Sequence, residues 1–269
     1  MSSSISTSKM LNISDLIAMK RAGEKICSLT AYDASFASLV DKAGVDMILI
    51  GDSLGMVIQG HSTTLPVTLE HMVYHCRCVS IARQRAFIVA DLPFASYATP
   101  EQALHNAACL MQSAGVQMVK LEGAKLDVIQ FLVDQGVPVC GHLGLLPQSV
   151  HCIGGYKVQG REAAVADRII QDAINIERAG AGMLILECVP AQLAKEISQQ
   201  LLIPVIGIGA GVHCDGQVLV LYDMLGISVG GWPRFSKNFM ADATTIEQAI
   251  RDYHLAVKSL AFPDSEHSY

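Results

Sequence analysis

The stretch AGVDMILIGD (residues 43–52) recurs twice in altered form, as AGVQMVKLE (114–122) and AGAGMLILE (179–187). Each copy runs from a helix end at Ala-Gly through a few residues into an apolar run, and closes on an acid: Asp52, Glu122 or Glu187. A fourth run, AFIVAD (86–91), ends on Asp91 without the Ala-Gly lead. Apolar residues at successive positions predict strands buried on both faces, as in a parallel sheet. An acid at the C-terminal end of such a strand sits where barrel and open α/β enzymes place their chemistry. Four such ends predict one carboxylate-lined pocket, suited to a metal or to acid/base work.

Working outward, KICSLT, VPVCGH, IPVIGIG and QVLVLYD (217–223) read as further strands. ASFASLVDKAG, PEQALHNAACLMQSAG, LDVIQFLVDQG and REAAVADRIIQDAINIERAG lie between strands and carry i, i+3, i+4 apolar spacing ending in Gly, the usual helix stop. Thr99-Pro100-Glu101 is a helix start, a capping Thr with Pro at the first helical position. Strand–helix alternation repeated about eight times predicts a (β/α)8 TIM barrel, with a doubly wound sheet as the alternative. Two loops exceed the ~2–6 residues usual between strand and helix. One follows Asp52 and the other follows His142, both on the pocket side, where long loops hold or cover substrate.

Among the 269 residues, 51% are hydrophobic and 16% charged, with net charge -6. So low a charge share predicts a large core and extensive subunit contacts. No basic stripe answers nucleic-acid phosphates. The charge-free stretch 135–156 contains Gln, Ser, His, Pro and Gly and does not read as a membrane span. MSSSISTSKM lacks the apolar core of a secretory signal, so residues 1–11 are expected to be a short tail. Residues 12–269 are expected to form one barrel domain with a C-terminal helical extension. Eight cysteines without a C-x-x-C pair read as free thiols of a reducing compartment. His75-Cys76-x-Cys78 falls in a helical pattern whose i and i+2 side chains diverge, which argues against zinc there.

Asp52, Asp91 and Glu122 are hard oxygen donors of the kind Mg²⁺ takes, or else caps of the helices that follow. Glu187 precedes the apolar CVPAQLAKEI, a setting suited to a carboxylate that takes a proton, again with helix capping as the alternative. Lys120 shares a strand face with Glu122, and a cation in an apolar strand requires an anionic partner. His142 reads equally as a satisfied core histidine or as a site residue. GIGAG (207–211) is a tight strand exit rather than a dinucleotide fingerprint.

The strings LTAYDASFA, ILIGDSLGMVIQGH, VADLPFASY, VKLEGA, GHLGLLPQSV, GGYKVQGR, LECVPAQLAKEI, PVIGIGAGVHCDGQVLV, PRFSKNF and FPDSEHSY resemble the ketopantoate hydroxymethyltransferase family. They run in order from about residue 12 to the end. Leu146 stands where the family pattern has Thr, and CRCVSIARQR lacks its Arg-Gly step. The resemblance implies a Mg²⁺-dependent (β/α)8 barrel of the phosphoenolpyruvate/pyruvate type that uses 5,10-methylenetetrahydrofolate and 3-methyl-2-oxobutanoate to make 2-dehydropantoate. It implies Asp52, Asp91 and Glu122 at the metal, Asp52, Ser53, Asp91 and Lys120 at the oxoacid, and Glu187 as the base. It further implies a cytoplasmic homo-oligomer, a decamer of two five-fold rings. The rival enzyme reading is an isocitrate-lyase-like lyase, whose K-K-C-G-H-type loop does not occur here. The non-enzymatic reading is a binding barrel that has lost catalysis, against which the retained acids and Lys120 argue. The sequence does not locate the folate contacts residue by residue; segments 53–66 and 143–160 are candidates for them.

Overall fold

A computed structural model describes residues 9–229, 231 and 233–269; residues 1–8, where most of the expected tail falls, lie outside the described residues. Eight parallel strands close into a barrel in sequence order. They are β1 (Ile26–Thr30), β2 (Met47–Ile50), β3 (Phe87–Asp91), β4 (Met118–Glu122), β5 (Val139–Gly144), β6 (Met183–Glu187), β7 (Val205–Ile208) and β8 (Gly216–Leu219). All residues of β1, β2, β3 and β4 are buried, which is why their sequences are apolar without alternation. Each fully buried Ile or Leu, such as Ile26, Ile48 and Ile88, contributes roughly 1.5–3 kcal/mol.

The helices fall where periodicity places them: Ala34–Lys42, Leu69–Ala82, Pro100–Ala114, Leu126–Asp134 and Ala163–Arg178. Thr99 caps the third of these, its side chain accepting from Gln102 N–H. QVLVLYD is only partly a strand. Its pairing with β1 ends at Leu29 and Leu219, and the next residues form the short helix Leu221–Met224, whose Leu221 N–H donates to Thr30 Oγ1 at 3.0 Å. The seam between β1 and β8 is braced by the helix Ile246–Lys258. From it the buried Tyr253 hydroxyl donates to the carbonyls of Ser28 (2.9 Å) and Gln217 (3.2 Å).

Strand register sets the site. It pairs Asp91 with Lys120, Glu122 with His142, and Gly144 with Glu187, a row of polar residues across four neighbouring strands. Gly144 is required there: its φ is +93°, and a Cβ would lie 2.2 Å from the Glu187 carbonyl oxygen. At the opposite, N-terminal end, the buried Asp46 accepts from Arg85 (2.8 Å) and Cys27 N–H (3.0 Å) and pairs with Lys258 (2.7 Å). No helix among the described residues is long and apolar enough to cross a membrane.

Candidate active site

Asp91, Glu122 and Glu187 are the last residues of β3, β4 and β6, and Asp52 lies two residues beyond β2. None of them caps a helix. The N-cap positions that follow are Ser53, Thr99, Lys125 and Pro190, so the four carboxylates are left for the pocket. All four line one cavity of about 670 Å³, together with Ser53, Lys120 and His142. Both long loops contribute to its wall, the first through Met56, Val57 and His61 and the second through Pro147, Tyr156 and Val158.

At the deep end, Lys120 Nζ lies 2.7 Å from Asp91 Oδ1, with both side chains buried. The other Asp91 oxygen accepts from Asp52 N–H at 3.0 Å. Burial works against the Lys120 charge, but Asp91, Glu122 and Asp52 outweigh it and lift the ammonium above the usual lysine range. Lys120 therefore remains a cation. Burial first, then the charge of Asp91, raises the Asp52 carboxyl well above the ordinary carboxylate range; Lys120 and Gln148 offset this only in part.

Gln148 went unnoticed in the sequence, yet it organises this end. Its side-chain amide donates to Asp52 Oδ2 (2.8 Å) and to the Leu92 carbonyl (3.0 Å), and its backbone N–H donates to Glu122 Oε2 (3.0 Å). Tyr97 donates its hydroxyl to Gln148 Oε1 at 2.5 Å and accepts from Glu122 N–H at 3.3 Å. Both carboxylates are thus turned by one residue of the 3-10 segment Pro147–Ser149. Tyr32, also missed, holds Ser53 through a 2.8 Å hydroxyl contact.

His142 is not a satisfied core histidine. Nδ1 stands 3.5 Å from Glu122 Oε1 and Nε2 stands 3.2 Å from Glu187 Oε2, but neither approach is aligned as a hydrogen bond. Burial and Lys120 push its ring toward neutrality. The two glutamates prevail and raise it to about 9.

Among the described residues, no three His, Cys, Asp or Glu side chains close into a ready-made metal cage. Mg²⁺ does not demand one, because it keeps several waters and is bound through one or two carboxylates plus substrate oxygens. The donor set fits it on two counts: every donor is a hard oxygen, and the four acids Asp52, Asp91, Glu122 and Glu187 outnumber the two cations among them, Lys120 and His142.

A closed parallel barrel with acids gathered at its C-terminal mouth has the architecture of a (β/α)8-barrel enzyme. In fold the chain is similar to 2,3-dimethylmalate lyase, titled as a member of the PEP mutase/isocitrate lyase superfamily (TM-score 0.55, 17% identity, 74% of this chain and 72% of that one). It is likewise similar to phosphonopyruvate hydrolase solved in complex with oxalate and Mg²⁺ (TM-score 0.60, 10% identity, 78% and 81%). Within that class, the model of the ketopantoate hydroxymethyltransferase family matches residues 10–265. The 3-methyl-2-oxobutanoate hydroxymethyltransferase of Nitrosococcus oceani is 60% identical over 96% of this chain and 99% of its own length. That of Alkalilimnicola ehrlichii is 57% identical over 98% and 96%. The chain belongs to the ketopantoate hydroxymethyltransferase family and is an enzyme of that class.

Proposed function

We propose that this enzyme moves a hydroxymethyl group from 5,10-methylenetetrahydrofolate to C3 of 3-methyl-2-oxobutanoate, giving 2-dehydropantoate and tetrahydrofolate on the way to pantothenate and coenzyme A. The observation that carries this reading is the pairing, in one cavity, of a buried acid–lysine cluster with a separate, less buried glutamate. The Glu187 side chain is 16% exposed, against 4% for Asp91 and 3% for Glu122. The names of the relatives support the substrate, and the Mg²⁺ in the hydrolase complex supports the metal.

Asp52, Asp91 and Glu122 would hold Mg²⁺, with Asp52, Ser53, Asp91 and Lys120 contacting the oxoacid. When bound, Mg²⁺ supplies positive charge that draws electron density from the 2-oxo group and acidifies the C3–H bond. Glu187 takes the C3 proton, with the charged His142 ring 3.2 Å from its carboxylate. Lys120 offsets the negative charge that then develops on the oxoacid. C3 forms its new bond to the one-carbon unit, both bonds from that carbon to folate N5 and N10 break, water supplies the hydroxyl, and the C3 proton and the second water proton end on the two nitrogens.

Eight free cysteines suit a reducing cytoplasm, and exposed Tyr74 and Ile81 on the outer face of helix Leu69–Ala82 support assembly into a homo-oligomer, read here as a decamer. Deuterium exchange at C3 of 3-methyl-2-oxobutanoate tests the chemistry. Exchange that needs Mg²⁺ but no folate, with product formed only when the folate donor is added, is the expected result. Cleavage of a C–C bond in the oxoacid, or no exchange at all, would replace this reading with the lyase or the binding barrel.

A further inference from the structure

The cavity is larger than its acid end requires. A small branched oxoacid fills only a fraction of the ~670 Å³, a volume within the ~300–1,000 Å³ typical of pockets for drug-sized ligands. Val57, Val158 and Val218 give the wall apolar stretches, and one further buried acid, Asp223, stands among them. Asp223 is 7% exposed and lies on Leu221–Met224, the short helix pinned to β1 by the Leu221–Thr30 bond, so the barrel itself fixes its place. Among the described residues its carboxylate accepts one hydrogen bond, from the Ser228 hydroxyl to Oδ1. Burial accordingly raises this carboxyl above its ordinary value, with Ser228 offsetting part of the effect.

A buried carboxylate with unused acceptor capacity calls for donors from a ligand. The oxoacid, itself anionic and without N–H groups, does not supply them. At the exposed rim stand two cations, Lys157 and Arg234. The second is steadied by its Nε donating to the Glu266 carbonyl at 3.1 Å and by stacking over the Tyr269 ring at 5.6 Å. An apolar slot with a carboxylate inside and cations outside is complementary to a flat ring that bears adjacent N–H donors and ends in an acidic tail.

We infer that Asp223 binds the one-carbon donor, accepting from the amino-pyrimidinone N–H edge of its ring while Lys157 and Arg234 face its acidic tail. This rests on the reading of the donor as a reduced folate. It adds a wall of the pocket, the segment after β8, that lies outside both long loops.

The test measures tetrahydrofolate binding, the KM for 5,10-methylenetetrahydrofolate, and donor-free C3 exchange in the parent enzyme, Asp223→Asn and Asp223→Ala. Loss of a charge-assisted hydrogen bond should weaken tetrahydrofolate and raise the donor KM about tenfold to hundredfold in both variants. C3 exchange reports on the acid end and on folding. Arg234→Gln provides a second measurement: it should weaken tetrahydrofolate but not tetrahydropterin, which lacks the acidic tail. A donor KM within twofold of the parent in both Asp223 variants would overturn the assignment while leaving the folate reading standing. A fall in C3 exchange in step with donor binding would make Asp223 part of the scaffold and overturn it as well. A parent enzyme that turns over formaldehyde but is indifferent to folate would remove the reading beneath it.

Discussion

The proposed division between proton transfer at Glu187 and cation holding by the deep acids can be probed at two side chains. Glu187 ends β6 with its carboxylate near His142 and outside the Asp52–Asp91–Lys120 cluster. Glu187→Gln keeps the shape and removes the basic oxygen. The expected outcome is a ~10²–10⁴-fold loss of C3 exchange with oxoacid affinity by calorimetry nearly unchanged. A loss below about tenfold would show that another group takes the proton, and a loss of Mg²⁺ binding would place Glu187 at the metal. Gln148 is the complementary probe, because it touches both Asp52 and Glu122 yet carries no charge. Gln148→Leu keeps the volume but frees Asp52 Oδ2 and removes the acceptor that Tyr97 uses. Mg²⁺ affinity should fall ~10–100-fold, as for other partners that orient metal ligands. Retained Mg²⁺ affinity with poorer folding would reduce Gln148 to a packing role.

The elements divide the work between the two ends of the barrel. Asp46, just before β2, sits at the N-terminal end, where it satisfies two cations and a backbone N–H. Asp46→Ala leaves the Cys27 N–H without its acceptor and takes one partner from Arg85 and from Lys258, which keep the Gly44 and Val45 carbonyls and Glu24 respectively. Urea unfolding should register a loss of about 1–3 kcal/mol, with kcat in the folded fraction within about twofold of the parent. A large kcat effect without loss of stability would contradict this division of roles. The same division explains what the sequence discloses. Strands announce themselves because burial on both faces forbids polar alternation, and their terminal acids stand out against that background. In sequence the eighth strand reads too long because Leu221 and Tyr222 are as apolar as the strand before them, and only the end of the β1 register stops the pairing. Gln148 and Tyr97 left no trace in composition or spacing. Gln148 lies 96 residues from Asp52, and only barrel closure brings the two together. Asp223 carried a signal, an acid after an apolar run like the other four, but its helix placed it on the wall rather than at the strand end.

At the scale of the whole molecule, the deep acids pose a charge problem that the proposed Mg²⁺ would relieve. Asp52 is held above its ordinary range by burial and by Asp91, so ionising it works against the folded state. A carboxyl raised in this way favours the fold fully below its unfolded value, and that contribution is lost as pH rises through the raised one. Without Mg²⁺ the thermal midpoint should therefore decline over that rise. With Mg²⁺ the decline should be suppressed, because the cation binds the ionised form. At a concentration near 100 Kd it adds about 2.7 kcal/mol, so the Mg²⁺-induced shift in Tm should be larger at about pH 8 than at about pH 5. Asp52→Asn separates this account from a general salt effect. Its side-chain oxygen can still accept from Gln148, and each pKa unit of relieved repulsion is worth about 1.4 kcal/mol. The variant should melt a few degrees above the parent in metal-free buffer at about pH 8 and show almost no shift on adding Mg²⁺, while turnover is abolished. Scanning calorimetry of the two proteins at both pH values, with and without Mg²⁺, decides the matter. An Asp52→Asn variant that is less stable than the metal-free parent, or that keeps the full Mg²⁺ shift, would mean that the deep acids are balanced within the fold and that the cation binds elsewhere.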